Sequence, residues 1–203
     1  MTVNEMHQRL KDTFGEDVGP LSEPKVDAFC VVKASRIVEV SRFLKKTVGI
    51  ELDHCNVITG VDYPKRNVIE VVYHLFSYRH RHGIVLKVEA DRAAPIVPSV
   101  EGVWKAANWM EREAYDLLGV TFLGHPDLRR LLLPDDWQGW PLRKDYAEQG
   151  GYHGISNERE NPLVELRRLD EKRRAERPAP PPPPAPAAAP ATPAAPAAPA
   201  AKA

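Results

Sequence analysis

Cysteine is scarce in this 203-residue chain, with Cys30 and Cys55 the only two. They stand far apart in separate β-prone runs, which argues against a disulfide framework and suits a reducing compartment such as the cytosol. Nowhere do about 20 apolar residues run together, the length a membrane-spanning helix needs, so a soluble or peripherally attached protein is expected. The opening stretch MTVNEMHQRLKDTFG is charged and amphipathic instead of signal-like. Net charge is missing as well: 28 Lys and Arg balance 28 Asp and Glu, leaving no field to draw in nucleic acid or an anionic bilayer. Neither Gly-x-Gly-x-x-Gly after a strand nor a P-loop occurs, so nucleotide and flavin have no motif. No Cys-x-x-Cys offers an iron–sulfur cluster its thiolates.

What is present suffices for a core, since 43% of the residues are hydrophobic. Val3, Met6, Leu10 and Phe14 recur at helical spacing before Gly15, a natural stop. Residues 28–32 form a compact β-prone run. Ser35 in N-cap position then precedes Ile37, Val40, Leu44 and Val48 on one helical face, closed by Gly49. Three β-type runs follow, 55–61, 68–77 and 84–89, the last two flanking a polar turn that ends in Gly83 and predicting an antiparallel hairpin. Pro95 and Pro98 close the sheet region. From Ser99 through Trp104 to Leu118 the pattern is helical, with Gly119 as its stop.

The order α-β-α-β-β-β-α predicts an α+β fold, a small antiparallel or mixed sheet with helices packed on one face. The expected organisation is an α+β domain over 1–119, an extended, irregular partner-binding arm over 120–152 and a charged, partly helical segment over 153–177. A disordered Pro/Ala-rich tail over 178–203 completes it, a spacer by composition with a proline-rich ligand as the alternative. The arm holds many apolar and aromatic residues but no sustained period of 2 or 3.6. A partner that covers it would relieve an exposed apolar patch.

Glu111-Arg112-Glu113-Ala114-Tyr115-Asp116-Leu117-Leu118-Gly119-Val120-Thr121-Phe122 leads into Gly124-His125-Pro126-Asp127-Leu128-Arg129-Arg130-Leu131-Leu132-Leu133-Pro134-Asp135-Asp136-Trp137. Gly139-Trp140-Pro141-Leu142-Arg143-Lys144-Asp145-Tyr146 follows. This run closely resembles the signature of the thirty-kilodalton subunit family of respiratory complex I, the C subunit of bacterial NADH-quinone oxidoreductase. Upstream, Thr59-Gly60-Val61-Asp62 and Tyr73-His74-Leu75-Phe76-Ser77 look like the family's N-terminal domain, so the resemblance covers roughly residues 25–150.

The resemblance implies a component of the peripheral arm of a proton-translocating enzyme, on the cytoplasmic side of a bacterial cell membrane. It implies contact with the D subunit and, nearby, the B and I subunits, which build the quinone-reducing region. No cofactor, metal or catalytic residue is implied on this chain; FMN, iron–sulfur clusters, NADH and quinone belong to the complex. Equivalent subunits serve ferredoxin- or deazaflavin-dependent quinone or phenazine oxidoreductases and membrane-bound hydrogenases, an alternative the chain leaves open. Leu131, Leu132, Leu133, Trp137 and Trp140 are expected as buried anchors at the partner contact, and Arg129, Arg130, Arg143 and Lys144 as polar contacts at its rim. Glu111, Arg112, Glu113, Tyr115, Asp116, His125, Asp127, Asp145 and Tyr146 complete the expected interface.

Other chemistry has weaker footing. His74, His80 and His82 suggest a metal site if alternate strand positions place them on one face, although Arg79 and Arg81 would repel the ion. Carboxylates such as Glu111, Glu113 and Asp116 have the chemistry of general acids or bases, the basis of a stand-alone hydrolase or metal enzyme. Pairing of Arg112 with Asp116 at i, i+4 is the structural reading. His125 beside Asp127 is either a proton relay or a Gly-His-Pro-Asp turn whose side chains satisfy the backbone.

Overall fold

The computed structural model describes residues 1–23, 27–157 and 162–176. It comprises two compact units, Met1–Glu148 and Gln149–Ala203. The tail expected over 178–203 lies outside the described residues.

In the first unit, α1 (Val3–Phe14) begins with a capping box in which Thr2 and Glu5 satisfy each other's backbone N–H, and ends at Gly15 with φ 57°. Met6 and Leu10 are fully buried, and Phe14 meets Phe43 edge to face at 5.6 Å. Strand β1 (Val18–Ser22) has no counterpart in the sequence reading, because Gly19 and Pro20 depress strand propensity. An edge strand with a bulge between Val18 and Leu21 tolerates both.

After β2 (Phe29–Val32), Ser35 does not cap α2 (Ile37–Lys46). Residues Ala34–Arg36 form a 3-10 turn, Arg36 stands at the N-cap, and Asp17 binds both Lys33 (2.7 Å) and Arg36 (3.1 Å). Helix α2 also stops short of Val48, which is 82% exposed; Ile50 and Leu52 enter the core in its place.

Strands β3 (His54–Tyr63), β4 (Val68–Ser77) and β5 (His82–Asp91) form antiparallel hairpins, and the five-stranded order is β1-β2-β5-β4-β3, with β2 and β5 parallel. The sheet is therefore mixed, as the α+β reading allows. Ile69, Val71, Tyr73 and Leu75 face Ala90, Val88, Leu86 and Ile84 across the β4–β5 pair, and all join one core with the buried faces of the helices. The opposite face is charged: Glu70 and Glu89 stand directly across from each other, neutralised by Lys87 on Glu70 (2.9 Å) and Arg66 on Glu89 (2.8 Å).

Strand β6 (Ile96–Pro98) precedes α3 (Ala107–Leu118). The helix starts later than its periodicity suggested, because Val100 O accepts from Val103 N and Trp104 N and the Trp104 indole donates to Leu52 O at 3.0 Å, holding that stretch in turns. Gly119 ends α3 at φ 76°. Gly60 on β3 lets α3 approach closely; a Cβ there would lie 2.3 Å from Leu118 Cδ1. The segment expected to be irregular from Val120 opens instead with β7 (Thr121–Leu123), parallel to β6; four residues between Gly119 and Gly124 are too few for a period to show.

In the second unit, β8 (Gly151–Tyr152) and β9 (Ile155–Ser156) make a minimal hairpin, and α4 (Pro162–Glu176) follows.

Candidate functional site

The last four carbonyls of an α-helix have no partner within it. At the end of α3 each is met in turn: Tyr115 O by Gly119 N (2.9 Å), Asp116 O by Arg130 Nη1 (3.2 Å), Leu117 O by Leu142 N (3.0 Å) and Leu118 O by Arg143 Nε (2.8 Å). Three of the four donors come from residues 120–148, the portion of the expected arm that lies in the first unit. An irregular chain is thus held in place by the unsatisfied end of a regular element.

Asp116 supplies the second anchor. Its Oδ2 accepts from three successive amides, Leu131 (3.0 Å), Leu132 (2.6 Å) and Leu133 (2.9 Å), while Arg130 Nη1 reaches Oδ1 at 2.9 Å. Burial alone would raise this carboxyl; the three amides and the guanidinium outweigh it and hold the group below the usual carboxylate range. The other end of Arg130 donates to Trp137 O at 3.0 Å. Arg112 does not pair with Asp116 across one helical turn. Its Nε and Nη2 donate to the carbonyls of Arg129 and Arg130, both at 3.3 Å, and its guanidinium lies over the Trp109 ring.

Nearer Glu148 the arm is clamped to the sheet. Asp62 on β3 accepts a two-pronged contact from Arg92 (2.6 and 3.0 Å) and the Lys144 amide (2.8 Å), and Arg92 continues to Asp145 at 2.5 Å. The Arg92 guanidinium holds the Asp62 carboxyl below its ordinary value. Trp140 packs against Gly119, where a Cβ would sit 2.4 Å from the indole, and the Arg143 guanidinium lies over its ring at 4.5 Å. The Tyr146 ring occupies the space that a Cβ on Gly139 would need. Sequence reasoning missed Arg92 entirely and Asp62 as an anchor; no local signal links two residues on different strands to a loop far downstream.

The expected site residues therefore divide. Glu111, Arg112 and Asp116 are buried, and Arg130 and Arg143 turn inward as structural donors. His125 forms the turn: the Asp127 amide donates to its Nδ1 (3.0 Å), so Nε2 carries the hydrogen given to Asn108 O (3.2 Å), and Asp127 binds Arg129 at 3.0 Å. Tyr115, Leu131, Leu133, Trp137 and Tyr146 are half-buried, while Glu113, Arg129, Lys144 and Asp145 are exposed. Leu132 is 63% exposed, Leu142 54% and Trp109 60%, with Trp140 partly so. Large apolar groups thus face outward around a scaffold in which Glu111, Arg112, Asp116, Arg130 and Arg143 turn in.

The histidines do not assemble a metal site. His74 pairs with Val85 and His82 with Ser77, positions of opposite parity on β4 that face opposite sides of the sheet. His80 contacts Glu51 at 2.6 Å and His82 contacts Ile50 O at 2.8 Å. Among the described residues no group of three His, Cys, Asp or Glu is placed to hold a metal ion.

Residues 30–152 match the model of the family described as "Respiratory-chain NADH dehydrogenase, 30 Kd subunit". The chain belongs to this family. The match runs from β2 to β8, so it takes in both the sheet and the arm that α3 anchors. The C subunit of NADH-quinone oxidoreductase from Chloroherpeton thalassium is 40% identical over 148 residues, 72% of this chain and 61% of the relative, so the chain spans less than two thirds of that protein. The C subunit from Geobacter metallireducens is 42% identical over 144 residues, 70% of this chain and 88% of the relative. Among solved structures, a chain from the membrane-bound sulfane sulfur reductase, an archaeal respiratory membrane complex, superposes with a TM-score of 0.60 at 25% identity. That match covers 71% of this chain and 85% of the other. The fold is therefore shared with a chain of that archaeal complex.

Proposed function

We infer that this chain is a non-catalytic scaffold in the peripheral arm of NADH-quinone oxidoreductase, holding the quinone-reducing module together by binding the D subunit, with the B and I subunits as neighbours. In that complex electrons pass from NADH through FMN and iron–sulfur clusters to quinone, and this chain sits on the cytoplasmic side of a bacterial membrane. One observation carries the reading: the signature's charged groups Arg112, Asp116, Arg130 and Arg143 are engaged inside the chain, leaving Trp109, Leu132, Trp140 and Leu142 facing outward on a hydrogen-bonded support.

The cysteines suit a protein that holds no cluster. Cys30 and Cys55 lie on β2 and β3, three strand spacings or ~14 Å apart. Burial pushes both thiols up to about 12, with Glu111 adding to the effect at Cys55, which disfavours the thiolate a metal needs. No helix among the described residues is long and apolar enough to cross a membrane, in keeping with peripheral attachment.

The test is incorporation. Leu132→Asp and Leu142→Asp place charges on the outward face. Each is expected to cost about 2 kcal/mol, roughly a thirtyfold loss of affinity for the D subunit, read by co-purification from native membranes. Full incorporation of the double variant would overturn the interface. The likeness to a respiratory complex of another kind supports a second reading, an equivalent component of a ferredoxin- or deazaflavin-dependent quinone or phenazine oxidoreductase or of a membrane-bound hydrogenase. Identification of the co-purifying proteins separates the two, since an NADH-binding flavoprotein accompanies the first alone.

A further inference from the structure

Glu111 is wholly buried on the inner face of α3, and its two oxygens meet only neutral donors: Ser99 Oγ at 2.6 Å on Oε2 and Val100 N at 2.8 Å on Oε1. None of the ion pairs among the described residues includes it. Tyr73 faces it from β4, Cys55 from β3 and Glu101 from the turn after β6. Each adds to the cost of a negative charge there or bears that cost itself. Arg112, the neighbouring cation on α3, is committed to the carbonyls of the arm.

Ser99 makes this carboxyl a junction. Its N–H donates to Leu123 O on β7 at 2.8 Å, and its hydroxyl oxygen accepts from Glu101 N at 3.2 Å. Glu111, through one serine, therefore ties α3 to the turn over 99–101 and to the root of the arm.

We propose that Glu111 is a proton-operated joint: protonated, it locks α3 to the Ser99–Val100 turn and the first strand of the arm, and ionised, it loosens that junction. In the acid form Oε2–H donates to Ser99 Oγ while Oε1 keeps the Val100 amide, so no charge is buried. When the proton leaves to solvent, an unpaired carboxylate remains in an apolar core, and opening of the turn to water relieves it. Desolvation accordingly pushes this carboxyl up to about 7 despite its two donors.

The experiment follows the side-chain carboxyl carbons of the full-length chain by NMR, with glutamate 13C-labelled and the Glu111 signal assigned from Glu111→Gln. Amide exchange at Ser99 and Val100 is measured alongside, from about pH 5 to about pH 9. The signal is expected to titrate near 7, and opening at both amides, corrected for intrinsic exchange, to rise roughly tenfold over the same range. In Glu111→Gln that rise disappears. A midpoint below about pH 5 overturns the proposal, as does equal pH dependence of exchange in both proteins. Should Glu111→Gln not fold, Ser99→Ala removes one donor to the carboxylate and must move the midpoint upward; an unchanged or lower midpoint is equally fatal.

Discussion

On the core face of the five-stranded sheet the groups that meet are apolar, Ile69 on Ala90, Val71 on Val88 and Tyr73 on Leu86, while residues 120–148 of the arm are held by Asp116, Arg130, Arg143 and the Asp62–Arg92 pair acting on backbone amides and carbonyls. Burial of apolar area is non-directional and tolerates modest repacking. A carboxylate in a nest of three amides is directional and fails outright when removed. Beyond β7 the arm has no regular element up to Glu148 in which to pair its own backbone, so side chains of α3, β3 and the arm itself take over that task. A surface built this way presents Leu132 and Leu142 at defined positions although no helix or strand carries them.

The sharpest way to separate the two regions is Asp116→Ala, which leaves three amides and Arg130 without their acceptor. A loss of about 3–5 kcal/mol is expected, confined to the arm. Amide exchange and proteolysis over 127–142 should rise while far-UV circular dichroism still reports the sheet. Collapse of both together would break the distinction. Leu86→Ala, at the fully buried centre of the sheet, is expected to cost about 3 kcal/mol in urea unfolding, with sheet and arm lost in one transition. Gly119→Ala forces a non-glycine residue to φ 76° and drives its Cβ into Trp140, for about 2 kcal/mol, visible as a shift in tryptophan fluorescence.

Taken per pH unit, the smallest effect is the dependence on pH, and its sign differs between the regions. Glu111 has its value raised from 4.5 to about 7, so its stabilising contribution is complete below the ordinary value and is lost as pH rises to about 7. Asp116 and Asp62 are lowered from 3.8, so theirs is complete above that value and is lost as pH falls through their folded values. Each proton bound or released contributes at most about 1.4 kcal/mol per pH unit. Urea unfolding across pH should therefore show the core side of α3 weakening toward neutrality and the arm weakening in acid. Glu111→Gln should flatten only the first slope.

Much of the fold was legible from periodicity. Helices α1 and α3, the hairpin of β4 and β5 and the stop at Gly119 all follow from spacing that a few neighbouring residues reveal. Where a local rule competed with long-range pairing it gave way. Ser35 lost the N-cap to a turn held by Asp17, Val48 yielded its core position to Ile50 and Leu52, and the Gly19-Pro20 pair concealed an edge strand. The candidate site was half legible. The run from Glu111 to Tyr146 was recognisable as a unit, yet Arg112 and Asp116, suitably spaced to pair, each bind the arm instead.

By itself the sequence determined the α+β class, the exclusion of a nucleotide motif and membership of the thirty-kilodalton subunit family across residues 30–152. Only the tertiary structure decided which signature residues face inward. Arg130 meets Asp116 across 14 positions and Lys144 meets Asp62 across 82. Hydrophobic periodicity is written along one segment, whereas the partner of a charge depends on which distant segments the fold brings together.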